Sequence, residues 1–237
     1  MAKTVGLSRA LKTEWLNKVV NLVNEGMAPE NIKEALNDYI GFELNSPDNI
    51  RKSREILMNL WVYPFEDEKA NLLRKQALEA IKNENEDLLA MHWCMLLLYY
   101  PVFVDVTGMI GKISSMQDSF SLAWLKDKLF EEWGERTTLL HTLPKIMQTL
   151  RQLGVVDSNG GVYTVNHYEI KDATTKKILL KTILALKMQA YYEPSELSKV
   201  SQMFPFEYTV DSELIFGNQD FELGNFGGSP VVVGYGE

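Results

Sequence analysis

The most informative segment of the chain reads TLPKIMQTLRQLGVVDSNGGVYTVN, residues 142–166. Its first part predicts an amphipathic helix, because apolar side chains recur at helical spacing. These are Leu143, Ile146, Met147, Leu150 and Leu153. Gly154 is expected to end the helix, and residues 157–161 are typical of a tight turn between two short strands. The segment therefore predicts a helix followed by a β-hairpin.

The residues before this segment predict a second helix. Ser119 is a suitable N-cap for a helix over 119–133, and Gly134 is expected to end it. Pro144 would disrupt the interior of a helix, so we expect the following helix to begin at Thr142, with Pro144 in its first turn. The order helix, turn, helix and hairpin predicts a winged helix-turn-helix.

Outside this region the chain predicts a mainly α protein. Helices are expected over residues 7–24, 29–40, 46–60, 67–83, 88–100 and 102–113, with Leu72 on the apolar face of the fourth. A long helix after Asp172 to about Gln189 and a short one over 194–203 follow, then a strand over 207–216. SPVVV at 229–233 could pair as an edge strand, giving a short C-terminal β element. We expect a helical bundle (1–115), the winged element (116–170) and a C-terminal segment packed on both (171–237).

The charge distribution is uneven. The 237 residues carry a formal net charge of −8, which counts against a nucleic-acid-binding protein. Counted by segment, however, residues 107–202 have 12 Lys/Arg against 10 Asp/Glu, and residues 203–237 have six acids and no Lys/Arg. Because electrostatic attraction depends on the local field, the middle of the chain is the place where a polyanion is best accommodated.

Residues 88–104, LLAMHWCMLLLYYPVFV, carry no formal charge and reach the lower length limit of a membrane span. Pro101 interrupts the run and no basic cluster flanks it, so we expect a core helix that ends before Pro101 and no membrane partner. No secretory signal is recognisable, and the single cysteine, Cys94, excludes an intrachain disulfide. The expected location is the cytoplasm.

The search for an active site is negative. No P-loop, metalloprotease motif or nucleophile elbow is present, and His92, His141 and His167 are too scattered to suggest a metal site. We expect His92 to be a hydrogen-bonded core residue and Cys94 a small buried hydrophobe. The sequence thus predicts a protein without catalytic activity, cofactor or metal.

The positive signal is the outer face of the helix in residues 142–153. Amide and guanidinium groups match base edges, whereas lysine and threonine reach phosphates. The candidate DNA-binding residues on this helix are His141, Thr142, Lys145, Gln148, Thr149, Arg151 and Gln152. The hairpin adds Ser158, Asn159 and Tyr163, and the next helix adds Lys171, Lys176 and Lys177, in a lysine row that continues to Lys181 and Lys187. An ordinary solvated helix face and a protein-docking module remain alternatives.

The chain resembles the BrxA family, a small non-enzymatic component of BREX phage-defence systems. The matching segments are NSPDNIRKSREILMNLW (45–61), LLLYYPVFVDVTGMIGKI (96–113) and TLPKIMQTLRQLGVV (142–156). The resemblance implies an all-helical fold with a small winged element, no catalytic activity, and binding to double-stranded DNA. An RNA-binding, antitermination-like role has also been suggested for such folds.

The sequence therefore predicts a non-catalytic, double-stranded DNA-binding subunit of a BREX-like defence system. The alternatives are a protein–protein adaptor that docks other defence-system subunits through the winged module, and an RNA-binding helical protein. DNA binding requires the basic side chains of residues 112–187 to share one surface, whereas an adaptor should expose an apolar patch there. The sequence leaves the oligomeric state open.

Overall fold

A computed structural model describes residues 6–83, 87–216 and 219–235 of the chain. The fold is mainly helical, as the sequence predicts, with small sheets added in the second half of the chain. The first half forms α1 (Thr13–Asn24), α2 (Pro29–Gly41), α3 (Pro47–Trp61), α4 (Glu68–Lys82), α5 (Leu88–Tyr99) and α6 (Pro101–Ser114). Ser46 and Asp67 cap α3 and α4 by accepting hydrogen bonds from backbone N–H groups of the first turn.

Helix α5 lies at the centre of the bundle. Its residues from Ala90 to Leu97 are all buried, because α3, α4, α6 and α9 (Ala173–Ala185) pack around it. The expected end before Pro101 is confirmed, and α6 leaves α5 with a bend of 120°. Within the described residues, no single helix has the length and hydropathy to cross a membrane; the bent α5–α6 pair reaches both only when its two helices are taken together.

Residues 120–165 form a compact substructure, here called the hairpin unit. It consists of β1 (Phe120–Ser121), α7 (Leu122–Trp133), α8 (Thr137–Gln152), β2 (Val156–Asn159) and β3 (Val162–Val165). The three strands pair antiparallel in the order β1-β3-β2, with Val156 opposite Val165. Gly160 and Gly161 both have positive φ, which the two-residue turn between β2 and β3 requires.

Two predicted helix starts in the hairpin unit are wrong. Ser121, not Ser119, caps α7, because residues 120 and 121 pair with β3 before the helix begins. Helix α8 begins at Thr137 rather than after Thr142, and Pro144 lies inside it on the exposed side. Thr142 is therefore an interior helical residue and not an N-cap.

The C-terminal part wraps back over the bundle. Its further elements are β4 (Tyr168–Glu169), β5 (Tyr191–Tyr192), α10 (Pro194–Leu197), a 3₁₀ helix (Ser201–Met203), β6 (Phe206–Glu207), α11 (Ser212–Ile215), β7 (Leu223–Phe226) and β8 (Ser229–Val233). Strands β4 and β6 pair in parallel, and β5, β8 and β7 form a second antiparallel sheet. Residues 229–233 form the expected strand, β8, but it is the central strand of that sheet and not an edge strand, because β5 and β7 pair on either side of it.

Three other expectations about these regions are wrong. The strand expected over 207–216 stops at Glu207, because the chain turns at Asp211, whose carbonyl accepts from the Leu214 N–H, and enters α11. Helix α9 ends at Ala185, short of Gln189, where Lys187 adopts a positive φ. Leu72 is exposed, since α4 turns a neighbouring face to α5 and α9.

The apolar core is continuous through all three expected segments. Trp93 of α5 makes edge contacts with Phe103 of α6 and with Phe204 and Phe206 of the C-terminal part, at centroid distances of 5.1–5.8 Å. A Cβ added to Gly111 would lie 2.0 Å from the Ser201 carbonyl oxygen, so glycine lets the 3₁₀ helix pack directly on α6. This packing fixes α6, and with it the adjoining hairpin unit, against the bundle.

Candidate nucleic-acid interface

The outer face of α8 carries most of the candidate residues. His141, Gln148, Arg151 and Gln152 are exposed, and Lys145 is half-buried beside them. Helix α8 contains no aspartate or glutamate. No carboxylate within the described ranges forms an ion pair with Lys145 or Arg151. This face therefore offers amide donors and acceptors together with two positive charges that are free to meet an anion.

A groove of about 450 Å³ runs between α8 and the hairpin. Gln148, Arg151 and Gln152 line it from α8, and Asp157 and Tyr163 line it from β2 and β3. The groove thus combines guanidinium and amide donors with one carboxylate acceptor, which suits polar, directional recognition.

The hairpin side of the groove is held in place by its own contacts. The Tyr163 ring stacks on Phe120 of β1 at 5.6 Å, so the β1–β3 pairing sets its position. The Asn166 side-chain amide donates to Asp157 Oδ2 at 2.9 Å. At the end of the hairpin, Asn159 is exposed and Ser158 is half-buried.

Two threonines expected on the outer face are not available there. Thr142 and Thr149 are 6% and 0% exposed, because both lie on the side of α8 that packs against the bundle. Thr149 Oγ1 accepts from the backbone N–H of Leu11 at 3.0 Å and donates to the Lys145 carbonyl at 2.9 Å. The Thr149 hydroxyl thus uses both its donor and its acceptor role within the protein, and Thr142 is buried. Neither threonine can therefore contact a ligand in this structure.

The partner of Thr149 belongs to an N-terminal segment whose place beside α8 is not indicated by any local sequence pattern. Residues 8–13 run along α8: besides the Leu11 contact, Thr13 Oγ1 donates to the Gln152 carbonyl at 2.9 Å. A separation of 138 residues joins Leu11 to Thr149, and no local pattern indicates such a contact. This N-terminal segment forms one flank of α8, and the hairpin forms the other.

The lysine row after the hairpin is not a continuous free surface. Lys171 is exposed but forms an ion pair with Glu169 at 2.9 Å, and Lys176 Nζ lies 3.4 Å from Thr209 Oγ1. Lys177 is half-buried on α9. Lys181 is 6% exposed and forms an ion pair with Asp220 at 3.0 Å, while Lys187 lies 3.6 Å from Asp67. Helix α9 packs against α4 and α5, and this packing buries Lys181 beside its partners within the protein.

The remaining basic residues near α8 are mixed with acids. Lys112 is exposed at the end of α6. On α7, Lys128 forms an ion pair with Glu131 at 2.8 Å, and Lys126 Nζ lies 5.7 Å from the Phe130 ring centroid. The positive charge of the hairpin unit is therefore most clearly uncompensated on α8.

The buried titratable groups have structural surroundings. His92 Nε2 lies 2.8 Å from Asn17 Oδ1 in a fully buried position, and burial lowers the pKa of His92 to about 3. Burial raises the pKa of the Cys94 thiol to about 12. Both residues are core residues, as expected. His141 and His167 are exposed, and among the described residues no three His, Cys, Asp or Glu side chains cluster as a metal site would require.

Comparison with known proteins identifies no relative: no protein-family model, curated protein or solved structure matches the chain.

Proposed function

We propose that the protein is a non-catalytic, double-stranded DNA-binding protein and that the hairpin unit is a winged helix-turn-helix. The single observation that carries the proposal is the outer face of α8, where Lys145 and Arg151 stand without acidic partners beside Gln148 and Gln152. The strand order β1-β3-β2, with α7 and α8 between the first two strands in the chain, supports the winged element.

The dimensions of α8 suit the proposed role. An α-helix with its side chains is about 10–12 Å across and the major groove of B-DNA is about 12 Å wide, so α8 can enter the groove. Arg151 is suited to a bidentate contact with guanine, and Gln148 to one with adenine. At the end of the hairpin, the exposed Asn159 and the backbone amides of Gly160 and Gly161 can donate to phosphate oxygens.

The net charge of −8 counts against nucleic-acid binding, but the charge is unevenly distributed along the chain. Residues 203–237 carry six acids without a lysine or arginine, whereas α8 carries only positive formal charges. The local potential at the contact, and not the sum over the chain, governs the approach of an anion. An acidic protein whose contact helix is positive is expected to bind moderately and with strong dependence on salt.

The wider assignment, to a subunit of a BREX-like phage-defence system, rests on the resemblance of the segments 45–61, 96–113 and 142–156 alone. It adds other defence-system subunits as partners. The exposed apolar side chains near α8 also favour the adaptor as a second candidate: Leu140 on α8 is 45% exposed and Val162 on the hairpin is 47% exposed. A partner protein would bury these two side chains, whereas DNA phosphates would not.

The test is duplex DNA affinity against salt concentration for the wild type, Lys145→Ala and Lys145→Glu. Lys145→Ala removes one phosphate contact, so the negative slope of log K against log salt concentration should become shallower by about 0.9. Lys145→Glu should weaken binding more than Lys145→Ala, because it also places a negative charge against the backbone.

Lys82→Ala is the matched control, because Lys82 is exposed at the end of α4. Thermal melts of all variants check folding. If the wild type binds duplex RNA more tightly than DNA, the RNA-binding alternative replaces the proposal. If neither nucleic acid binds, or if both Lys145 variants bind DNA like the wild type, the proposed role of α8 is wrong.

A further inference from the structure

Three basic side chains gather around one carboxylate at the start of α3. Asp48 Oδ1 lies 2.8 Å from Arg51 Nη2, and Asp48 Oδ2 lies 2.7 Å from Lys52 Nζ and 3.6 Å from Arg9 Nη2. We call these four residues the Asp48 cluster. Its formal charge is +2, since three cations share a single anion. All four side chains are at least partly exposed, from 26% for Arg9 to 57% for Arg51.

Neighbouring ion pairs are balanced, unlike this cluster. Lys12 pairs with Glu43, and Arg54 pairs with Glu55 at 2.5 Å. One carboxylate in the first turn of α3 would suffice to complement the helix dipole, and one cation would neutralise it. Arg51 and Lys52 have no partner other than Asp48 in the described contacts, and both side chains are exposed to solvent.

The N-terminal segment connects this cluster to α8. Arg9 Nε donates to Asn49 Oδ1 at 3.1 Å, which fixes the segment against α3. Two residues further on, the backbone N–H of Leu11 donates to Thr149 of α8. The Asp48 cluster and the Thr149 edge of α8, which adjoins Lys145, are thus connected by the chain from Arg9 to Leu11, which spans at most about 7 Å.

The cluster lies toward the flank of α8 that faces away from the hairpin. With 100° between successive residues, Met147 and Arg151 point toward the hairpin, whereas Lys145 and Thr149 point toward the N-terminal segment. A helix in the major groove has a phosphate backbone on each side. The hairpin is suited to one backbone, and the N-terminal flank approaches the other.

We propose that the Asp48 cluster binds the DNA phosphate backbone on the side of α8 opposite the hairpin, so that Arg9, Arg51 and Lys52 extend the interface onto the bundle. This inference rests on the proposed function, and it commits to the same duplex that α8 contacts. Charge complementarity and continuity with α8 identify the ligand as a polyphosphate backbone. Within the cluster, Asp48 then opposes binding and limits its strength.

The test uses Asp48→Asn because the proposal predicts that this substitution increases the affinity for duplex DNA. Replacing the carboxylate with a neutral amide frees Arg51 and Lys52 for phosphate, so duplex affinity should rise severalfold and the salt slope should steepen. A folding defect would not produce tighter binding. Glu79→Gln, which removes one negative charge from an exposed position of α4, is the charge-matched control and should change affinity much less.

Arg51→Ala and Lys52→Ala should each reduce the salt slope by about 0.9. If the wild type binds and responds to Lys145→Glu, but Asp48→Asn, Arg51→Ala and Lys52→Ala all bind like the wild type, this inference is wrong while the proposed function stands. If the wild type does not bind duplex DNA, both fail together. An increase in duplex affinity that is larger for Asp48→Asn than for the Glu79→Gln control supports the proposed role of the cluster.

Discussion

Helices α8 and α9 both carry basic residues, but the two sets have opposite surroundings. On α9, Lys181 is buried and bonded to Asp220 and to Gln76 Oε1, at 3.0 and 3.2 Å. On α8, Lys145 and Arg151 lie at the surface without an acidic partner in the described ranges. The packing around a helix, rather than its number of lysines, therefore decides whether its charge is available to a ligand.

The packing explains this difference. Helix α9 has buried residues on most of its circumference, because α4 and α5 cover it and the C-terminal tail supplies Asp220. A lysine in such surroundings must be paired. Helix α8 buries one apolar face and the adjoining edge that carries Thr142 and Thr149. Its opposite face is therefore free for polar contacts outside the protein.

The largest effect on the free energy of unfolding is expected from His92, a buried histidine on α5, the helix against which α9 packs. The folded protein keeps His92 of α5 neutral down to a pKa of about 3, whereas the unfolded chain takes up a proton near pH 6.5. The unfolded state therefore binds more protons below pH 6.5, and the free energy of unfolding falls as pH is lowered toward 3, by up to about 4–5 kcal/mol. Denaturant unfolding between pH 7.5 and 4 measures the greater part of this loss, about 3 kcal/mol.

Two variants isolate the contribution of His92. His92→Gln keeps an N–H donor for Asn17 but cannot titrate, so its free energy of unfolding should depend less on pH than that of the wild type. His141→Gln, the same substitution at an exposed histidine of α8, is the matched control. Identical pH profiles for the wild type and His92→Gln would contradict the buried, neutral state of this ring.

The next largest effect is expected for Lys181→Met. The substitution keeps the buried aliphatic volume but removes the ammonium from Asp220 and Gln76. Since Asp220 is partly exposed and can be resolvated, the loss should be about 1–3 kcal/mol of unfolding free energy, with no change in DNA affinity. Chemical denaturation and duplex titration measure both quantities. A variant of wild-type stability with weakened DNA binding would reverse the comparison of the two helices.

The smallest effect on folding is expected on α8 itself. Arg151→Met should change the free energy of unfolding by no more than about 0.5 kcal/mol, because the guanidinium is exposed and has no acidic partner in the described structure. The same variant should weaken binding to a preferred duplex site by about 1–3 kcal/mol and reduce its preference for guanine, because it loses the proposed bidentate contact. Destabilisation as large as that of Lys181→Met would show that Arg151 has a structural role.

Much of the architecture follows from local sequence signals. The apolar run at 88–100 and its proline predict α5 and its end, and Ser46-Pro47 predicts the cap of α3. The glycines at 154, 160 and 161 predict the end of α8 and the hairpin, and all three have positive φ. These features depend on neighbouring residues, which the sequence displays directly. The outer positions His141, Gln148, Arg151 and Gln152 follow from the same helical periodicity.

The remainder depends on contacts between distant residues. The sequence places Thr149 on the polar flank of α8, but in the structure its hydroxyl accepts from the backbone N–H of Leu11. The sequence places Lys181 in a row of exposed lysines, but in the structure it forms an ion pair with Asp220. Strand β1 has only two residues and exists because β3 lies beside it. No local pattern indicates these contacts, and the same holds for the approach of Arg9 to Asp48, although the pairs of Asp48 with Arg51 and Lys52 have ordinary helical spacing.

The hydrogen bond between Leu11 and Thr149 also has a consequence for biosynthesis. Translation adds about 5–20 residues per second, so the acceptor emerges from the ribosome roughly 7–28 s after its donor, which lies 138 residues earlier. During that interval residues 8–13 have no α8 to pack against, although α1 to α6 are already being made. The N-terminal flank of α8 is therefore a late product of synthesis, and a nascent chain that stalls before residue 149 lacks it.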